Sequence, residues 1–294
     1  MPEGKIIKAL SGFYYVKDEN GELIQCRGRG VFRKNKVTPL VGDYVVFQAE
    51  NDTDGYILEV LERKNELVRP PIANVDQAIL VFSAIKPDFS PLLLDRFLVL
   101  VESNDIEPII CISKTDLISK DAVQEIENFA RSYREIGYRV LLTSTKEREG
   151  LDQLLPLLDN QISVFAGQSG VGKSSLLNTL RPDLDLETNE ISMSLGRGKH
   201  TTRHVELIEV AGGLVADTPG FSSLEFLTIE AEELSYCFPE IYKVGANCKF
   251  RGCTHISEPK CAVRQGVEDG RIEQFRYDHY VSFYEEIKER KPRY

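Results

Sequence analysis

Gly167-Gln168-Ser169-Gly170-Val171-Gly172-Lys173-Ser174 is a complete phosphate-binding loop, and its reading decides the central fold. Turning backbone N–H groups inward around phosphate oxygens needs a curvature that a β-carbon obstructs, which Gly167, Gly170 and Gly172 allow. Lys173 is placed to reach the β- and γ-phosphates and Ser174 to coordinate Mg2+, while Gln168, Ser169, Val171 and Ser175 complete the cradle. The apolar run Ile162–Ala166 predicts a buried strand before the loop. Residues 175–180 predict a helix after it, whose N-terminal dipole favours an anion. Strand, glycine loop and helix in this order predict an α/β nucleotide-binding domain.

Two further motifs extend the site. Downstream, the run Gly213–Ala216 ends in Asp217-Thr218-Pro219-Gly220. Asp217 would hold Mg2+ directly or through water, and the Gly220 N–H would face the γ-phosphate. A plain turn is the alternative for so short a motif. Its distance from the phosphate loop, about one helix and two strands, favours phosphate sensing. Upstream, residues 108–112 lead into Ser113-Lys114-Thr115-Asp116, which resembles the N-K-x-D guanine-reading motif with Ser in place of Asn. The Asp116 carboxylate matches the N1–H and amino donors that guanine has and adenine lacks, which argues for GTP over ATP. Ser113 is shorter than an Asn amide. Losing one such hydrogen bond costs about 0.5–1.5 kcal/mol, which weakens binding without changing specificity. A helix cap after a strand is the alternative for the tetrapeptide taken alone. Thr143-Ser144-Thr145, after the strand-like 138–142, fits a second base-contacting loop through Ser144.

The order is base-reading motif, second base loop, phosphate loop, aspartate motif. A Ras-like GTPase places its phosphate loop first and its base-reading motif last, so this chain resembles a circularly permuted GTPase. Permutation is physically cheap because domain termini often lie close together. The aspartate motif then runs straight into the C-terminal segment, which predicts that loss of the γ-phosphate is felt there.

That segment carries Cys248, Cys253, His255 and Cys261 in the spacing C-x4-C-x-H-x5-C. Three thiolates and an imidazole make a closed set suited to one structural, tetrahedral zinc ion. A disulfide pair is the alternative. Lys5 and Lys8 interrupt any apolar stretch in 1–10, so no secretory signal is expected and metal is favoured. Cys26, Cys111 and Cys237 stand alone and are expected to be core thiols. Residues 266–290 are helical in pattern, and the stripe Phe275, Tyr280, Phe283, Ile287 is expected to pack on the zinc knot.

The first 68 residues have a different pattern. Short alternating runs at 5–10, 13–16, 23–27, 43–49 and 55–61 predict five strands and an OB-fold β-barrel. Arg27, Arg29, Arg33, Lys34 and Lys36 form an acid-free stretch around Phe32. It would either grip a phosphate backbone, with Phe32 stacking on a base, or remain a solvated loop. Arg69-Pro70-Pro71 is expected to be a stiff linker. Residues 77–84 predict a strand and Pro91–Glu102 a helix capped by Ser90. The fold class is therefore multidomain: a barrel over 1–68, a permuted α/β P-loop domain over 72–225, and a mainly helical zinc-binding domain over 226–294. No apolar run is long enough to span a bilayer, so a soluble, cytoplasmic, monomeric protein with no membrane partner is expected. The net charge of −10 opposes encounter with RNA, but the local basic clusters at 27–36 and at Arg197, Lys199, His200 and Arg203 would decide contact. Acidic residues elsewhere are expected to face solvent.

OB-fold, permuted GTPase and Cys3His knot together closely resemble the RsgA (YjeQ/YloQ-type) bacterial GTPases over essentially the whole chain, including Gly198-Lys199-His200-Thr201-Thr202. The resemblance implies late maturation of the small (30S) ribosomal subunit, contact with its rRNA, GTP hydrolysis to GDP stimulated by that particle, and release afterwards. Phe221 stands where a Ras-like enzyme has its water-orienting glutamine. The resemblance therefore implies His200 as the catalytic candidate beside Lys173 and Gly220, a solvated loop histidine being the alternative. Thr201 or Thr202 would close on Mg2+, and Thr202 is assigned as the ligand with Ser174 and Asp217.

Overall fold

The computed structural model describes the chain except residues 31, 33–36, 52, 69, 185–204, 218–223 and 291–294. At the N-terminus, β1 (Glu3–Leu10), β2 (Phe13–Asp18), β3 (Leu23–Gly28), β4 (Tyr44–Ala49) and β5 (Asp54–Val60) alternate inward and outward residues. Ile6, Val16, Cys26, Val45 and Ile57 are fully buried between them. β1 pairs with β2 and β2 with β3; β3 runs parallel to β5, β5 pairs with β4, and β4 returns to β1. That circuit is the five-stranded OB-fold barrel.

Two expectations need correction here. Phe32 is buried in the barrel core and offers no stacking face, because its large apolar area gains more from burial than from solvent. Of its basic neighbours, Arg27 and Arg29 are exposed, while Arg33, Lys34 and Lys36 lie outside the described residues. The second correction concerns the linker. β6 (Glu66–Val68) pairs antiparallel with β7 (Pro71–Ala73), because Leu67 and Ile72 insert into the core, so Pro71 stands in a strand, while Arg69 lies outside the described residues.

The nucleotide domain is built on parallel strands in the order β10 (Arg139–Leu142), β9 (Glu107–Ser113), β8 (Gln77–Ser83), β11 (Ile162–Ala166), β13 (Gly213–Ala216), edged by antiparallel β12 (Val205–Val210). All seven residues of β8 are buried, as expected of a strand with both faces covered. The covering helices are α1 (Pro91–Glu102), α2 (Lys120–Ile136), α3 (Leu151–Leu158) and α4 (Lys173–Leu180). Ser90 caps α1 by accepting the Leu93 N–H at 3.3 Å, with Pro91 in the first turn. Parallel strands end on one side, so the C-terminal ends of β9, β10, β11 and β13 gather at a single edge, where α/β sheets bind ligands.

The C-terminal segment folds as α5 (Pro239–Gly245), α6 (Ala262–Glu268) and α7 (Gln274–Glu289). The helix expected over 266–290 is broken near Gly270, whose φ of +72° is left-handed. Tyr280, Phe283 and Ile287 enter the C-terminal core as expected, but Phe275 turns toward the nucleotide domain, 5.6 Å from Phe129 and 6.0 Å from Tyr133. Helix α1 is shared. Leu94, Phe97, Leu98 and Val101 face the sheet, whereas Val99 and Leu100 complete the C-terminal core. Not all acids are solvated either: Asp95 is fully buried and binds Arg276.

Candidate functional site

The loop after β11 has the backbone its glycines predict. Gly167 has φ +139°, and a β-carbon there would lie 2.1 Å from the Val81 carbonyl oxygen of β8. Gly170 and Gly172 are also left-handed, at +81° and +99°. Helix α4 starts at Lys173, which turns the unpaired amides of its first turn, including Ser174 and Ser175, toward the loop. Gln168 and Ser169 form the exposed rim, and Val171 packs inward.

Lys173 is buried, and its Nζ donates to the carbonyls of Gly167 at 2.8 Å and Gln168 at 2.5 Å. Burial lowers its pKa to about 8. A phosphate bound to the ammonium would raise that value, so the bound pKa exceeds the free one. Affinity is then complete below pH 8 and is lost as the pH rises above it. Calorimetry should show GDP binding weakened roughly tenfold between pH 7 and pH 9. A flat profile would mean that Lys173 stays charged without nucleotide.

The base-reading motif meets this loop directly. Ser113, buried at the end of β9, donates its hydroxyl to the Val171 carbonyl at 2.6 Å, with the Phe82 carbonyl at 3.2 Å. Lys114 Nζ donates to the Gly170 carbonyl at 2.7 Å and to the Lys86 carbonyl, and burial lowers its pKa. The first two residues of the motif therefore brace the phosphate loop. The last two face the second base loop: Thr115 Oγ1 donates to the Thr143 carbonyl at 3.2 Å, and buried Ser144 donates to Asp116 Oδ1 at 2.7 Å. A hydroxyl on one carboxylate oxygen orients Asp116 toward the edge where a base would lie.

Asp217 sits at the end of β13, beside β11. Its N–H donates to the Glu206 carbonyl at 2.9 Å, and its Oδ1 accepts the Glu206 N–H at 2.9 Å. His200, Thr201, Thr202 and Gly220 lie outside the described residues. Lys86 and Glu206 were not foreseen, because both act through backbone groups that leave no residue-type signal. A cleft of about 950 Å3 opens elsewhere, between the barrel and the β12–β13 turn near Lys5, Tyr44 and Gly212. Backbone donors, not enclosed volume, mark the phosphate cradle.

The Cys3His set also assembles. The ligand atoms of Cys248, Cys253, His255 and Cys261 lie within 4.8 Å of one another. Cys248 and Cys261 Sγ are 3.9 Å apart, and each lies 3.4–3.5 Å from His255 Nδ1. Ligands about 2.3 Å from a tetrahedral ion stand roughly 3.8 Å apart, so this donor set can hold a metal ion. Glu258 stiffens the loop between them by accepting from Thr254 N–H and hydroxyl, Ile256 N–H and Ser257 N–H. Burial opposes its charge, but these hydrogen bonds hold its pKa down at about 2.

The family model described as RsgA GTPase matches residues 60–227, and the RsgA N-terminal domain model matches 3–57. The chain belongs to the RsgA GTPase family. Two relatives called small ribosomal subunit biogenesis GTPase RsgA are similar over 100% of both chains: 69% identical in Bacillus cytotoxicus and 67% in Bacillus subtilis. Among solved structures, YloQ, described as a circularly permuted GTPase, is 62% identical with a TM-score of 0.88, covering 100% of this chain and 97% of that one. YjeQ from Thermotoga maritima is 38% identical with a TM-score of 0.89, covering 99% of each. An RsgA-family chain with the strand order seen here has its barrel, permuted nucleotide domain and Cys/His knot in the expected sequence.

Proposed function

We propose that this chain is a GTP hydrolase that binds the small ribosomal subunit and its rRNA, and couples GTP hydrolysis to late subunit maturation and to its own release. The observation that carries this is the convergence of Ser113 and Lys114 on the phosphate-loop carbonyls of Val171 and Gly170, while Asp116 points away from them to Ser144. One guanosine nucleotide then spans the two motifs, its base at Asp116 and its phosphates at Lys173. The relatives' name supplies the particle. The test is GTP turnover with and without purified small subunits. Stimulation by the subunit and not by tRNA or mRNA supports the proposal; equal turnover in all three sinks it.

The roles follow the motifs. Thr115, Asp116 and Ser144 would frame the base, with Ser113 and Lys114 joining it to the phosphate loop, and residues 167–175 would frame the phosphates. Mg2+ would sit against Ser174, Asp217 and Thr202, with Thr201 beside it, and would neutralise charge developing on the phosphates. Gly220 would donate to the γ-phosphate. His200 would orient the attacking water that Phe221 cannot. His200→Ala should lower subunit-stimulated kcat by roughly 100-fold and leave GTP affinity nearly unchanged, the pattern of a group acting only in the transition state. Unchanged turnover would remove it from the mechanism.

The metal is assigned as one structural zinc ion on Cys248, Cys253, His255 and Cys261, since three thiolates with one imidazole leave no open position. Elemental analysis should find one equivalent per chain, lost in Cys253→Ser together with protease resistance of the C-terminal unit. Retained metal in that variant would exclude the assignment. The functional units are taken as 1–68, 72–225 and 226–294. A monomeric, cytoplasmic protein without a membrane partner fits this role, and among the described residues no helix is long and apolar enough to cross a membrane.

A further inference from the structure

Glu206 does two things at once. Its backbone holds Asp217 from both sides, through the paired 2.9 Å hydrogen bonds between the two residues. It is also where the barrel joins the nucleotide sheet. Glu206 lies in register with Lys8 of β1, Val205 lies in register with Ala9, and the Lys8 ammonium meets the Glu206 carboxylate at 2.9 Å. Lys17 of β2 likewise pairs with Glu209 of β12. A shift of β1 therefore bears directly on the residue that clamps Asp217.

The C-terminal unit is attached in another way. Val99 and Leu100 of α1 are part of its core, and the buried Asp95 accepts from Arg276 at 2.5 Å and from His279 at 2.6 Å. Arg96, next along α1, donates to the Leu224 carbonyl at 3.1 Å and to Glu286 of α7, with its guanidinium 4.6 Å from the Phe226 ring and 4.9 Å from that of Phe283. The chain leaving the aspartate motif is thus pinned to α1 before it enters the C-terminal unit.

We propose that the barrel, through Lys8 and Glu206, positions Asp217 for hydrolysis, so that a partner bound to the barrel tunes turnover while the C-terminal unit stays fixed to α1. The inference rests on the nucleotide site assigned above. Lys8 and Glu206 are positioning residues that act through Asp217. Linkage makes the effect reciprocal: nucleotide that reorients Asp217 must also alter β1.

The test uses the full chain. Lys8→Glu and Glu206→Lys each place like charges across an antiparallel pair, and the double swap restores attraction. The Mg2+ concentration giving half-maximal GTP turnover should rise about threefold in each single variant and return to the parent value in the double swap, as expected for a half-exposed ion pair. Glu286→Gln, in the C-terminal unit, should leave it unchanged. Hydrogen exchange with GDP and with a non-hydrolysable GTP analogue should differ in 3–10 and 205–210 but not in 274–289. An unmoved Mg2+ requirement in the single variants, a double swap without rescue, an effect of Glu286→Gln as large as theirs, or a nucleotide-dependent difference in 274–289 exceeding that in 3–10 overturns the proposal. Protection of 166–180 by both nucleotides in the parent protein keeps the two assignments apart. Its absence removes the nucleotide site itself, and this inference with it.

Discussion

Lys173→Ala is expected to lower kcat/KM for GTP by roughly 1,000-fold, the scale on which a charged group aimed at a transferring phosphoryl acts. Three features concentrate the effect in this residue. Its ammonium is buried, so it acts in a medium where charge is poorly screened. It stands at the first position of α4, where the helix dipole adds to its field. It also closes the loop on itself through the carbonyls of Gly167 and Gln168. Removing it therefore takes away both the cation and the brace that shapes the cradle, and KM should rise while kcat falls. Steady-state turnover with and without small subunits measures this. A loss under tenfold would show that phosphate binding does not depend on this loop.

Arg276→Ala is expected to destabilise the protein by about 3–5 kcal/mol, because it removes the cation that balances the fully buried Asp95 and the half-buried Glu240. Arg276 is fully buried, donates to Asp95 at 2.5 Å and to Glu240 at 2.6 Å, and lies 4.5 Å from the Phe238 ring. Burial alone would disfavour its charge, but the two carboxylates hold its pKa well above the ordinary value. Tyr133 also donates to Asp95, at 2.6 Å, so that carboxylate keeps a hydrogen-bond donor but loses the guanidinium that balances its buried charge. The thermal midpoint should drop by roughly 10 °C. Glu286→Ala, which breaks a half-exposed pair with Arg96, should cost less than about 1 kcal/mol. Equal effects of the two substitutions would refute the distinction between the buried and the surface pair.

Much of the site was legible because its parts are local. The glycines of 167–172 announce a curvature, Lys173 and Ser174 a phosphate and a metal, and Asp116 a base, each within one short motif. Alternation at 5–10 and 13–16 was enough for a barrel, since a half-buried strand repeats every two residues. The Cys and His spacing was equally self-contained. The failures share a cause as well. Phe32 reads as a surface ring because sequence does not show which side of a turn is enclosed. Residues 266–290 read as one helix because little but Gly270 interrupts their periodicity.

What the chain determined by itself was a set of motifs: the carboxylate proposed to read guanine, a glycine-rich phosphate loop and a Cys3His cluster able to hold a metal ion, in an order that a permuted domain accommodates. Tertiary structure alone decided how those parts are braced. The Ser113 hydroxyl finds the Val171 carbonyl across 58 residues, and Arg276 finds Asp95 across 181. Contacts at such separations depend on how strands are ordered and helices packed, and they leave no periodicity or spacing in the residues that make them. That is why α1, which reads simply as a helix capped by Ser90, turned out to be the common wall of two cores, and why a glutamate on β12 joins the barrel to Asp217.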